Sequence, residues 1–158
     1  MNYFSLLGGK KIKKNEPPPK NLEIIEYNQE VLKVKFNGSE NKYDWIAIYK
    51  ENQVEWLKEK IKFTGYGFAV KNKPGSIPAV LWLYCNNSQE SNSVISNGNL
   101  LFNSDSKHKQ LDQVCTKHQI EIFPLANGFY KLYFFSNNSY KKYTQPITFE
   151  IKDKELIR

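Results

Sequence analysis

The chain has 158 residues and a formal net charge of +7, from 23 basic and 16 acidic residues. That length accommodates one domain and excludes a doubly wound enzyme with a second domain, or a β/α barrel; ten Tyr, ten Phe and three Trp argue against wholesale disorder. Only Arg158 is arginine while 17 residues are Asn, the bias of an A+T-rich genome, so composition by itself names no ligand.

The charge is unevenly placed. Residues 1–20 hold five lysines and one glutamate, a net +4, which leaves 18 basic and 15 acidic residues, a net +3, on residues 21–158. Residues 1–21 read as an extended arm: an apolar tip Tyr3-Phe4-Ser5-Leu6-Leu7, a Gly8-Gly9 hinge, then Lys10, Lys11, Lys13 and Lys14 before Pro17-Pro18-Pro19. Three consecutive prolines forbid helix and impose a stiff, extended chain. Phe4 and Leu7 are candidate apolar anchors, and the four lysines are candidate contacts to an acidic partner surface. The five-residue tip precedes the charge, the reverse of a secretory signal, Asn2 is not the glycine that myristoylation needs, and no 18-residue apolar run occurs. A cytoplasmic protein is expected.

From residue 22 the dominant period is two, the signature of half-buried strands. Residues 22–27 form a first strand, and Leu32, Val34 and Phe36 alternate with Lys33 and Lys35 in a second that ends at Asn37-Gly38-Ser39. Residues 44–50 are apolar on both faces, as a central strand requires. Residues 54–63 fit a strand better than a helix, and 79–85 read as another fully buried strand. Residues 86–118 look like a polar insertion. Within it Asn97-Gly98 predicts a hairpin turn pairing 94–95 with 100–102, and 107–117 predicts a short helix. Strands over 119–123, 129–135 and 146–151 close the domain, with 152–158 as a charged tail. Seven to nine short strands without a long helical period predict an all-β, antiparallel immunoglobulin-like β-sandwich over residues 22–151.

Two blocks carry more than periodicity. The first is Asp44-Trp45-Ile46-Ala47-Ile48-Tyr49-Lys50, with Trp45 as the large aromatic of the core. The second is Asn127-Gly128-Phe129-Tyr130-Lys131-Leu132-Tyr133-Phe134-Phe135, followed by Pro146-Ile147-Thr148-Phe149. A turn at Asn127-Gly128 puts Tyr130 at the head of a buried strand, where its phenol can hydrogen-bond back to the corner. Trp82 and Leu132 complete the expected core set. Val34 and Leu132 stand roughly where an immunoglobulin disulfide would link the sheets, so packing alone holds them. The two blocks resemble the SKICH-type immunoglobulin-like module of inositol polyphosphate 5-phosphatases and coiled-coil autophagy receptors. That resemblance implies a non-catalytic module that binds proteins and localises its host.

Catalytic chemistry finds little to stand on. His108, Cys115 and His118 lack a fourth ligand at zinc-site spacing and a nucleophile context, Gly65-Tyr66-Gly67 lacks the rest of a phosphate loop, and no carboxylate pair suggests acid–base work. No cofactor or metal is expected. Two cysteines, Cys85 and Cys115, suit a reducing compartment, and the sequons at Asn37, Asn86 and Asn137 are attributed to chance in an Asn-rich chain. Nucleic-acid binding is disfavoured because arginine, the residue of bidentate base and phosphate contacts, is nearly missing. The expectation is a structural or protein-binding subunit of a larger assembly, a cytoskeletal or axonemal one included. A localisation module for a phosphatase, a nucleic-acid binder and contact with an anionic membrane surface are the alternatives.

Overall fold

Period-two patterning becomes eight antiparallel strands in the computed structural model, which describes residues 19–51, 79–89, 91–104 and 123–158. They are β1 (Asn21–Tyr27), β2 (Leu32–Asn37), β3 (Trp45–Lys50), β4 (Leu81–Tyr84), β5 (Asn97–Phe102), β6 (Gly128–Phe135), β7 (Ile147–Lys152) and β8 (Glu155–Ile157). One sheet runs β1-β2-β5, the other β4-β3-β6-β7-β8. The chain changes sheet after β2, β4 and β5, the crossing pattern of an immunoglobulin-like sandwich. Among the described residues no helix is long and apolar enough to cross a membrane.

The inner faces follow the alternation. Leu32, Val34 and Phe36 of β2 are fully buried, as are Ile46, Ile48, Leu132 and Phe134 from the facing sheet. Phe36 meets Phe134 edge to face across the sandwich, with ring centroids 6.0 Å apart. β1 carries Ile24-Ile25 in succession because the register shifts between Ile24 and Glu26. This bulge turns Ile25 outward, 39% exposed, yet returns Tyr27 opposite buried Leu32.

The double-sided apolar character of β3 has a direct cause. It lies between β4 and β6, and its outer face is a second, aromatic layer. Ala47 pairs with Trp82 and with Tyr133, and Trp45 with Tyr84 and Phe135. Trp45 contacts Trp82, Phe135 and Tyr140 at 5.6, 4.7 and 5.4 Å between ring centroids. These pairings take the tilted and edge-to-face arrangements that ring quadrupoles favour.

The tyrosine corner forms as expected, with the Tyr130 hydroxyl donating to the Ala126 carbonyl at 2.6 Å. The core candidates Trp45, Trp82, Tyr130 and Leu132 are all at most 4% exposed.

Three expectations need correction. Asn97-Gly98 is no turn: it opens β5, and Gly98 pairs with Phe36 of β2. A glycine serves there because a Cβ would lie 2.7 Å from Ser88 Oγ, on the 3₁₀ turn Cys85–Ser88 that crosses it. Residues 97–102 are therefore a strand of the sandwich and not part of an insertion. Finally, the charged tail contains β8, joined to β7 by Asp153 and Lys154, both at positive φ (51° and 68°). That hairpin was hidden because neither turn residue is glycine. The expected strand at 54–63, the helix at 107–117 and most of the strand at 119–123 lie outside the described residues.

Replacing Tyr130 by Phe should cost about 1–2 kcal/mol through the lost bond to Ala126. Leu132→Ala, which opens a cavity between the sheets, should cost about 2–5 kcal/mol. Urea unfolding with an unchanged m-value measures both; equal losses would mean that the corner hydrogen bond matters as much as core volume.

Candidate functional site

Asp44 immediately precedes β3 and is fully buried. A buried carboxylate is costly unless donors surround it, and five do. Oδ2 accepts from Ser39 Oγ at 2.8 Å, the Glu40 amide at 2.8 Å and the Asn41 amide at 2.9 Å. Oδ1 accepts from the Asn137 amide at 2.8 Å, and the Tyr143 hydroxyl reaches both oxygens at 3.1 Å. Its carbonyl accepts from the Cys85 amide at 2.9 Å. One side chain thus fastens the β2–β3 loop to the β6–β7 loop, while its backbone holds the start of the 3₁₀ turn.

The surroundings of Asp44 tune their own chemistry. Burial first, then the Asp44 charge, pushes the Tyr143 phenol well above its ordinary value. The same two causes raise the Cys85 thiol, which makes it a packed, poorly nucleophilic sulfur. Among the described residues no group of three or more His, Cys, Asp or Glu comes together.

The loops so fastened form one end of the sandwich, where the corresponding loops of immunoglobulin variable domains bind. Their sequences, Ser39-Glu40-Asn41-Lys42-Tyr43, Asn86-Asn87-Ser88 and Ser136-Asn137-Asn138-Ser139-Tyr140-Lys141-Lys142, have the Tyr, Ser and Asn content of binding loops. Tyr43 is 41% exposed, packs edge to face on Tyr84 at 5.7 Å and lies under Lys42 Nζ at 5.1 Å. The Tyr84 hydroxyl donates to Asn138 Oδ1 at 2.7 Å, and the Asn138 amide donates to the Tyr43 carbonyl at 2.9 Å. Lys42, Lys141 and Lys142 are exposed on this end. Among the described residues its two carboxylates are already engaged, Asp44 by its five donors and Glu40 by Lys20.

Lys20 fixes the chain where it enters β1. Besides Glu40, its ammonium donates to the Gly38 carbonyl at 3.1 Å and sits 4.8 Å from the Tyr143 ring centroid. Gly38 has φ +87°, and a Cβ there would lie 2.6 Å from the Pro19 carbonyl oxygen, so only glycine lets the chain pass so close. Pro19 and Lys20 therefore enter the domain at the end that bears Lys42, Lys141 and Lys142.

Phe4, Leu7, Lys10, Lys11, Lys13 and Lys14 lie outside the described residues, as do His108, Cys115, His118 and the segment Gly65-Tyr66-Gly67. Sequence reasoning missed Asp44, Tyr143 and the three loop lysines as a unit, since about a hundred positions separate Asn41 from Tyr143 although Asn41 Nδ2 donates to its hydroxyl at 3.3 Å. The available signal was Ser39 and Asp44 flanking a short polar loop before an apolar run. No protein family, curated protein or solved structure matches the chain.

Asp44→Ala leaves several buried donors without an acceptor and should cost about 3–5 kcal/mol; a loss under about 1 kcal/mol would show that the loops hold without it. Alkaline pH should act on the same region. Burial is the leading cause that raises Tyr27, Tyr84, Tyr130, Tyr133, Tyr143 and Cys85 in the fold. The unfolded chain therefore releases these protons first, so the stabilisation is complete below the ordinary values, 9.0 for Cys85 and 10.0 for the tyrosines, and is lost as pH rises beyond them. Urea midpoints measured from pH 8 to 11 should fall, and less steeply for Tyr143→Phe.

Proposed function

We propose that this chain is a non-catalytic, immunoglobulin-like docking subunit. Its fastened loop end and its basic arm together engage an acidic surface on a protein partner within a larger assembly. The observation that carries this reading is the seat of Lys20. It puts the root of the arm beside Lys42, Lys141 and Lys142, so the lysines on both sides of residue 20 can act on one partner. Loops held by Asp44 spend little conformational entropy on binding, which is the advantage of a pre-organised surface. The resemblance to SKICH-type modules agrees with a protein-binding role. Lysines act as point charges and tolerate varied partner geometry, which suits an acidic polymer such as a cytoskeletal lattice better than base-specific recognition.

The test uses the tagged full-length chain, affinity purification from its native cell and quantified binding to the partner recovered. K42E/K141E/K142E, and separately a deletion of residues 2–18 that keeps Pro19 and Lys20, should each weaken that binding at least tenfold, steeply dependent on salt, without shifting the urea midpoint. Unchanged binding in both variants, or a recovered partner whose binding a nuclease abolishes, would refute the reading.

A further inference from the structure

The opposite end of the sandwich carries an independent feature. β8 is the last strand of its sheet and pairs only with β7 among the described residues. In a two-residue hairpin the flanking pair exchanges both hydrogen bonds. Lys152 with Glu155, and by alternation Glu150 with Ile157, are then the bonded pairs, and the N–H and C=O of Leu156 point away from β7. Among the described residues nothing pairs with them. An open cleft of about 860 Å³ lies alongside, between β8 and the β1–β2 turn.

The side chains around this edge have a definite chemistry. On the outer face, Phe129, Glu150 and Ile157 form one row across β6, β7 and β8. Phe129 and Ile157 are 53% and 42% exposed, so the row presents apolar surface up to the free edge. Glu26, Glu30 and Glu155 line the cleft with Leu156, against Lys154 and Arg158. One of those two cations is already engaged, since the Arg158 guanidinium donates to the Ile24 carbonyl at 3.3 Å.

We propose that the free edge of β8 is a strand-addition site for an extended segment of a partner protein in which apolar residues alternate with lysine or arginine. Main-chain bonds to Leu156 supply affinity, as in other edge-strand complexes, and the alternate side chains supply selectivity. One face of the added strand extends the row ending in Ile157 and takes the apolar residues. The other lays its lysine stems over Leu156 and brings their ammonium groups to Glu26 and Glu30. With three residues, β8 can lock one segment without templating a long stack.

The probe is a capped heptapeptide of alternating valine and lysine, titrated into the full-length chain and followed by amide exchange at Leu156. Saturable binding with at least tenfold slower exchange of the Leu156 amide is expected. Binding should weaken at least tenfold for a valine–glutamate peptide, for the same peptide N-methylated at alternate residues, and for the Ile157→Lys chain. No saturation at about 1 mM peptide overturns the site. Undiminished binding of the N-methylated peptide overturns strand addition, and undiminished binding to a Glu26→Lys/Glu30→Lys chain overturns the charge preference. None of these variants touches the Lys42, Lys141 and Lys142 end, so this proposal and the docking function fail separately.

Discussion

The carboxylate of Asp44 is the interaction on which the end of this sandwich depends. Its desolvation is offset by two backbone amides and a hydroxyl from the β2–β3 loop, and by a third amide and a phenol from the β6–β7 loop. Neither loop could satisfy it alone. Without it, three amides and two hydroxyls would have to find water or other partners, and loops from distant parts of the chain would lose their common reference point. The arrangement also explains the neighbouring residues. Trp45 follows Asp44 into β3 and donates its indole N–H to the Ser139 carbonyl at 2.9 Å, so polar and aromatic anchoring of the β6–β7 loop begin at adjacent positions. Glu40, fixed by its amide on Asp44, holds out its side chain to Lys20.

The two sheets use their outer faces in opposite ways. On β2, Lys33 and Lys35 stand opposite Glu26 and Glu23 of β1, an outer face of mixed charge suited to water. The outer face of β3, β4 and β6 instead buries Trp45, Tyr49, Trp82, Tyr133 and Phe135 to within 4% of full burial. That burial has a cost, since among the described residues the indole N–H of Trp82 finds no hydrogen-bond partner. Its consequence for function is geometric. The aromatic half of the larger sheet is already occupied by packing, and exposed apolar side chains on that sheet move to its other half, at Phe129 and Ile157. Among the described residues, the surfaces left open are the loop end, the β8 edge and the charged face of the smaller sheet.

Much of this fold was legible because alternation is a strong signal when one face of a strand is buried. Leu32, Val34 and Phe36 declared β2, the unbroken apolar run after Asp44 declared a strand covered on both faces, and Asn127-Gly128 with Tyr130 declared the corner. The misreadings share a different cause. Asn97-Gly98 has turn chemistry, yet its glycine answers to the close approach of Ser88, a tertiary contact that no local pattern encodes. Asp153-Lys154 makes a turn without the glycine that usually marks one, aided by Asn127 Oδ1, which accepts from the Asp153 amide at 2.9 Å. The bulge at Ile25 looked like a continuous strand because both flanking residues kept their expected faces. The loop site was illegible for the same reason as β5: Asp44, Asn137 and Tyr143 acquire their meaning only through contacts across the chain.

Net charge conceals how this domain is polarised. Residues 21–158 carry only +3, too little to argue for an anionic partner on its own. Position changes that weight. At the loop end the two described carboxylates are spent internally, one buried under five donors and one paired with Lys20, so among the described residues no free carboxylate offsets Lys42, Lys141 and Lys142. At the other end Glu26, Glu30, Glu51, Asp153 and Glu155 stand among Lys33, Lys50, Lys152, Lys154 and Arg158, and the described charges balance. A domain with this asymmetry is oriented by an acidic surface before contact, loop end first. The chain enters at that same end through Pro19 and Lys20, and by sequence residues 1–20 carry a net +4. Under the proposed docking, orientation of this kind leaves the β8 edge facing away from the acidic surface, where the proposed strand addition would not compete with it.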